Sequence, residues 1–108
     1  MAIRGAALGG RAGYIYPSSD RVALVVRNFS GNPSGEYVDV PWRTENFGYC
    51  FQACNVNGRL GTFSELEYHV PAIGGSTGLG HVQDRSQLWA FRGPSRQIEK
   101  IASCLLGI

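Results

Sequence analysis

The sequence predicts a mostly-β domain of antiparallel strands followed by one C-terminal amphipathic helix. Three observations lead to this prediction. Short segments of β-branched and aromatic residues alternate with polar ones, turn residues such as Asn57 and Gly58 separate them, and only the last residues change to a helical period. With 108 residues, of which 44% are hydrophobic, the chain is expected to form one domain spanning residues 1–108.

The strands are predicted in chain order. Residues 1–20 are rich in glycine, alanine and serine, and no strand is predicted there. Residues 22–26 are a continuous apolar run inside the segment 21–29, which indicates a strand covered on both faces. Alternation predicts further strands at residues 36–40, 47–56, 62–72 and 81–91.

The period then changes to that of a helix. Ser95 is predicted to cap the helix at its N-terminus, and Gly107 is predicted to end it. The apolar positions between them follow the i, i+3, i+4, i+7, i+8 pattern of one helix face: Ile98, Ile101, Ala102, Leu105 and Leu106.

Composition argues against several classes of protein. A net charge of +2 with scattered basic residues predicts no nucleic-acid partner. No stretch approaches the roughly 20 apolar residues that a membrane span needs. The first residues lack the apolar run of a signal peptide. The compartment is therefore unknown, and a cytoplasmic location is the default expectation. No Gly-Lys-Ser/Thr follows the early glycines, and no cofactor is predicted.

The three cysteines are predicted to be reduced, partly buried small hydrophobic residues. Cys50 and Cys54 lie in a predicted strand, where residues four apart are about 13 Å apart. A disulfide needs Cα atoms within about 7 Å, and a zinc knuckle needs a shorter spacing. Cys104 lies on the predicted helix with no histidine near it in sequence, so no nucleophilic cysteine site is predicted.

The most informative candidate site is the predicted strand 62–72. Alternation places Phe63, Glu65, Glu67 and His69 on one face, with successive members about 7 Å apart along the strand. Such a row suits the binding of hydroxyl groups, proton transfer or metal binding, and it equally suits an ordinary solvated face. His81 on the next predicted strand is a possible further ligand, but the set is incomplete and no metal site is predicted.

Two tryptophans, Trp42 and Trp89, are candidate stacking surfaces for a sugar ring, because the apolar face of a sugar packs on aromatic surface. The alternative role for each is packing in the core or at a sheet edge.

The order of several short motifs resembles the C-terminal part of uncharacterised bacterial proteins with the galactose-mutarotase-like fold. The shared features are Phe-x-Glu-Leu-Glu followed by Pro-Ala, a histidine-bearing strand and a closing helix that ends in Leu-Gly. The corresponding residues are 63–67, 71–72, 81 and 105–107, preceded by Tyr-Pro-Ser-Ser-Asp at 16–20 and Tyr-Val-Asp-x-x-Trp at 37–42.

This resemblance implies an antiparallel β-sandwich that is part of a supersandwich, a large twisted β-sandwich with a carbohydrate site on one sheet. It implies that Glu65 or Glu67 corresponds to the carboxylate that acts as base in aldose mutarotases, whereas His69 and His81 do not match the acid histidine of that family. The chain is therefore expected to bind carbohydrate, as a fragment-like domain without complete catalytic machinery.

Two alternatives remain beside carbohydrate binding. The first is a mutarotase-like epimerase that uses one of the two glutamates as base in an oligomer or with a partner. The second is a structural or protein-interaction sheet. In each case open strand edges predict association, as a homo-oligomer or with a missing N-terminal partner.

Overall fold

Two three-stranded antiparallel sheets and one C-terminal helix make up the regular structure of the described residues. The computed structural model describes residues 2–3, 8–17, 21–37, 48–74 and 77–108. The predicted mostly-β class with a closing helix is therefore confirmed. The elements are β1 (Ala2–Ile3), β2 (Arg11–Pro17), β3 (Val22–Phe29), β4 (Phe51–Gly58), β5 (Gly61–Tyr68), β6 (Ser86–Gly93) and α1 (Ser95–Leu106).

The chain separates into two compact units. The first consists of Met1–Gly10 and Ser30–Arg85 and contains a sheet with the strand order β1-β4-β5. The second consists of Arg11–Phe29 and Ser86–Ile108 and contains a sheet with the order β2-β3-β6, together with helix α1. We call them the hairpin unit and the helical unit.

Strand β3 is the centre of the helical unit, but the predicted cover on both faces is incomplete, since Val25 stays partly exposed. It pairs with β2 on one side and β6 on the other. Leu24 and Val26 project from the same face and are fully buried, and they form a core cluster with Ile98 and Ala102 of α1. The apolar face of the helix therefore packs on one face of this sheet.

Gly13 of β2 allows the helix to approach closely. A Cβ atom at this position would lie 2.7 Å from Leu106 Cδ1 and 3.2 Å from the carbonyl oxygen of Val25. Both distances are shorter than ordinary van der Waals contact. Gly13 thus leaves room for Leu106 of α1, and a side chain here would displace it. The strand at Arg11–Pro17 was missed by the prediction.

The helix ends as predicted but begins differently. Gly107 adopts the left-handed conformation, with φ of 70°, and its N–H donates to the carbonyl of Ser103. The N-cap is Pro94, without a side-chain capping bond, so the predicted capping role of Ser95 is wrong. Ser95 is instead the first helical residue, and its hydroxyl donates to Glu99 Oε1 at 2.6 Å.

In the hairpin unit, β4 and β5 form an antiparallel hairpin in which Gly58 pairs with Gly61. The turn signal at Asn57 and Gly58 therefore marks the end of β4, and Arg59 and Leu60 form the two-residue loop. Gly61 has φ of 111°, a conformation that glycine adopts without the strain that a side chain would add.

Three predicted strand boundaries need correction. In the predicted strand 62–72, the β-structure ends at Tyr68, so His69 lies just beyond β5. In the predicted strand 47–56, the β-structure begins only at Phe51. Gly48, with φ of 76°, interrupts the extended chain before β4. Residues 81–85 are irregular, and their strand begins at Ser86, where pairing with Phe29 of β3 begins. Of the predicted strand 36–40, only Glu36 and Tyr37 are among the described residues. The backbone carbonyl of Glu36 accepts a hydrogen bond from the Ala72 N–H at 2.7 Å.

All three cysteines are free, as predicted. Cys50 is buried, whereas Cys54 and Cys104 are exposed, so the predicted partial burial is wrong for these two. In the part of the chain that the structure describes, no helix has the length and apolar character to cross a membrane.

Candidate functional site

The β4–β5 hairpin brings the predicted glutamates into one polar surface. In its register Glu65 lies opposite Cys54, and Glu67 lies opposite Gln52. Because side chains alternate along a strand, each opposed pair shares a face with its neighbours two residues away. We define the acidic face as Gln52, Cys54, Phe63, Glu65, Glu67 and His69.

His69 and Glu67 lie side by side on the acidic face. His69 Nε2 lies 3.6 Å from Glu67 Oε2. The imidazole side chain is 16% exposed, whereas the Glu67 side chain is 48% exposed. His69 follows the last residue of β5, and its N–H still donates to the carbonyl of Cys50 at 2.9 Å. The backbone therefore holds this imidazole beside the strand end, with an accessible carboxylate next to it.

Glu65 is held from the neighbouring strand. Cys54 Sγ donates to Glu65 Oε2 at 3.5 Å. This hydrogen bond to the carboxylate, followed by partial desolvation, raises the pKa of the Cys54 thiol above its usual value. A raised pKa keeps sulfur in the thiol form, and because the thiolate is the nucleophile, Cys54 is a hydrogen-bond donor to Glu65 rather than an activated nucleophile.

The opposite face of the hairpin anchors a loop. Tyr68 projects there, and its hydroxyl donates to the carbonyl of Ser30 at 2.7 Å. Ser30 in turn donates from its hydroxyl to Asp84 Oδ1 at 3.1 Å. Burial, and then the neighbouring Asp84, raise the pKa of Tyr68 well above its usual value. Tyr68 thus ties the end of β5 to the segment that follows β3, and so supports the strand end where His69 lies.

Tyr68→Phe is expected to lower the free energy of unfolding by about 1 kcal/mol at neutral pH, the net value of one hydrogen bond. It is also expected to reduce the loss of stability at alkaline pH. The unfolded tyrosine ionises near pH 10 while the folded one stays protonated, so its contribution is complete below about pH 10 and falls as pH rises toward the raised folded pKa. Urea unfolding measured between about pH 9 and 12 tests both effects. A variant with the alkaline slope of the unmodified protein would contradict this role.

The other predicted site residues lie elsewhere or are not described. His81 is exposed in the irregular segment before β6, so its predicted position on a strand is wrong. Trp89 lies on β6 of the helical unit, where it packs against the core beneath α1, and the Arg11 guanidinium carbon lies 5.9 Å from its ring centroid. Its surroundings are those of a packing residue. Trp42 lies outside the described residues.

The structure adds members to the site that sequence reasoning did not single out. Phe63 lies two residues before Glu65 on the same face and is half-buried, so an aromatic ring adjoins the acidic row. Gln52 and Cys54 join it only through the hairpin register. The alternation of β5 already placed Phe63 on this face, but the partners on β4 depend on where the turn lies.

The described residues contain no group of three or more histidine, cysteine, aspartate or glutamate side chains arranged to hold a metal ion. No protein-family model, curated protein or solved structure matches this chain. Its local geometry is therefore the basis for a functional proposal.

Proposed function

We propose that the acidic face binds a small hydroxyl-rich ligand of the carbohydrate class. The carrying observation is the grouping of two carboxylates on one face of β5 with an imidazole just beyond its end, where Glu67 and His69 lie 3.6 Å apart. Carboxylate oxygens accept hydrogen bonds from hydroxyl groups, and bonds to a charged acceptor are stronger than neutral ones. Phe63 supplies the apolar surface on which the C–H face of a sugar ring packs.

Binding is favoured over acid–base catalysis at Glu67, because its carboxylate is open to solvent. A carboxylate that acts as a general base is typically shielded from water. Glu67 is 48% exposed. Glu65 is half-buried, and its carboxylate accepts a hydrogen bond from the Cys54 thiol. Both are suited to accept hydrogen bonds from a ligand. The likeness to galactose-mutarotase-like proteins is part of this proposal and indicates a sugar as the ligand to test first.

Glu67→Gln is expected to weaken binding of a responsive monosaccharide about ten-fold or more. The substitution replaces a charged acceptor, and a hydrogen bond to a charged group is worth about 1.5–3 kcal/mol, where 1.4 kcal/mol corresponds to a factor of ten. The measurement is a titration of the labelled protein with a panel of monosaccharides, followed by amide chemical shifts. Amides of residues 52–54 and 63–69 are expected to shift.

Glu99→Gln is the matched control, because it makes the same change on the exposed side of α1 and is expected to leave affinity unchanged. If no sugar shifts the acidic face, or if both variants bind equally well, carbohydrate binding at this face is wrong.

A further inference from the structure

Strand β6 is an edge strand of the helical unit. It pairs with β3 along its whole length, from Ser86 opposite Phe29 to Gly93 opposite Val22. Among the described residues, no backbone hydrogen bond reaches its outer edge. Several of its side chains are exposed, namely Ser86, Gln87, Leu88 and Ala90, and Leu88 is 60% exposed. Unpaired N–H and C=O groups on such an edge form a template for one kind of occupant, another β-strand.

The sequences of the edge strands differ in how they oppose such pairing. Proteins protect exposed edges with proline and charged residues. Strand β2 ends at Pro17, which has no N–H, and begins at Arg11. Strand β5 carries Glu65 and Glu67 on one face, so pairing of two copies would gather four carboxylates. Strand β6 contains no proline, lysine or carboxylate, and Arg92 is its only charged residue.

Strand β6 is also compatible with itself. In an antiparallel pair related by a two-fold axis, one residue must face its own copy, because opposed residues project from the same face. A register centred on Trp89 aligns residues 86–92 with the same residues of a second copy. Leu88 then lies opposite Ala90, and Arg92 lies opposite Ser86. No like charges are opposed, and the exposed Leu88 of each copy gains Ala90 of the other copy as an apolar neighbour.

We propose that β6 pairs with β6 of a second copy of this chain. The β2-β3-β6 sheets of the two copies then form one continuous antiparallel sheet of six strands. The axis is perpendicular to this sheet, so both copies of α1 lie on the same face of it. This interface is independent of the acidic face, which belongs to the hairpin unit, and each proposal can fail without the other.

The first measurement is the solution mass across a concentration series by light scattering after size exclusion. We expect a shift from 11.7 kDa for one chain to twice that mass as the concentration rises. In the same series, hydrogen exchange at residues 86–93 is expected to slow, whereas exchange at β2 and β5 stays constant. A monomer at the highest soluble concentration overturns the proposal. A dimer that slows exchange at another edge, or at none, also overturns it.

The second test is the variant Leu88→Lys/Ala90→Lys, which opposes lysines across the two-fold axis. Like charges directly opposite one another destabilise strand pairs, so we expect a monomer throughout the series. Leu60→Lys/Leu79→Lys is the control, since it adds the same charge at two other exposed positions and is expected to dimerise normally. A dimer that survives in the β6 variant overturns the proposal. Should that variant not fold, the exchange measurement on the unmodified protein decides.

Discussion

Leu24→Ala is expected to lower the free energy of unfolding of the helical unit by about 2–5 kcal/mol, the range for a leucine truncated in a well-packed core. Leu24 is fully buried at the centre of β3. It contacts the cluster that includes Ile98 and Ala102, so the removed methyl groups leave a cavity between sheet and helix. Because small domains have total stabilities of only about 5–15 kcal/mol, this single change removes a large fraction.

Urea unfolding followed by circular dichroism measures the effect, since α1 is the only helix among the described residues and its signal reports the packing that Leu24 supports. Leu60→Ala is the matched control, because Leu60 is 91% exposed in the hairpin loop and its truncation is expected to change stability by less than about 0.5 kcal/mol. Equal effects of the two truncations would contradict the assignment of the core.

Helices and strands whose pattern of apolar residues lies within one segment were predicted accurately from the sequence. The helix repeats apolar residues at the helical period, and Gly107 supplies its left-handed end, so both were predictable. The apolar run of β3 also marks a strand correctly, and this strand lies between β2 and β6 in its sheet. The grouping of Glu65, Glu67 and His69 also followed from alternation within one segment.

Features that depend on contacts between distant segments were not predictable. Strand β2 was missed because Gly13 suggests a turn until Leu106 is known to lie against it. The start of β6 was placed too early, because alternation continues through residues 81–85 although pairing with β3 begins at Ser86. Trp89 was considered as a stacking surface, but its packing beneath α1 follows from the register of β6 against β3. The single domain over residues 1–108, the sugar ligand and the likeness to galactose-mutarotase-like proteins stay predictions.

Phe51→Ala is expected to have the largest effect in the hairpin unit, a loss of about 3–5 kcal/mol. Phe51 is 1% exposed, begins β4 and pairs with Tyr68 of β5. The adjoining Cys50 is also fully buried. Truncation of this ring therefore opens a cavity beside the strand end that carries His69. The measurement is native-state hydrogen exchange at the amides of β4 and β5, which reports the stability of this hairpin separately from that of α1.

Phe63→Ala is the informative comparison for Phe51→Ala, because both remove a phenyl ring from the same hairpin, on opposite faces. Phe63 is only half-buried, so its truncation is expected to cost about 1 kcal/mol. The two variants also separate structure from function. Phe51→Ala weakens sugar binding only by unfolding the hairpin, and it therefore lowers affinity and stability together. Phe63→Ala is expected to lower affinity while the hairpin stays protected from exchange. If Phe63→Ala destabilised the hairpin as much as Phe51→Ala, the acidic face would be part of the core rather than a surface open to a ligand.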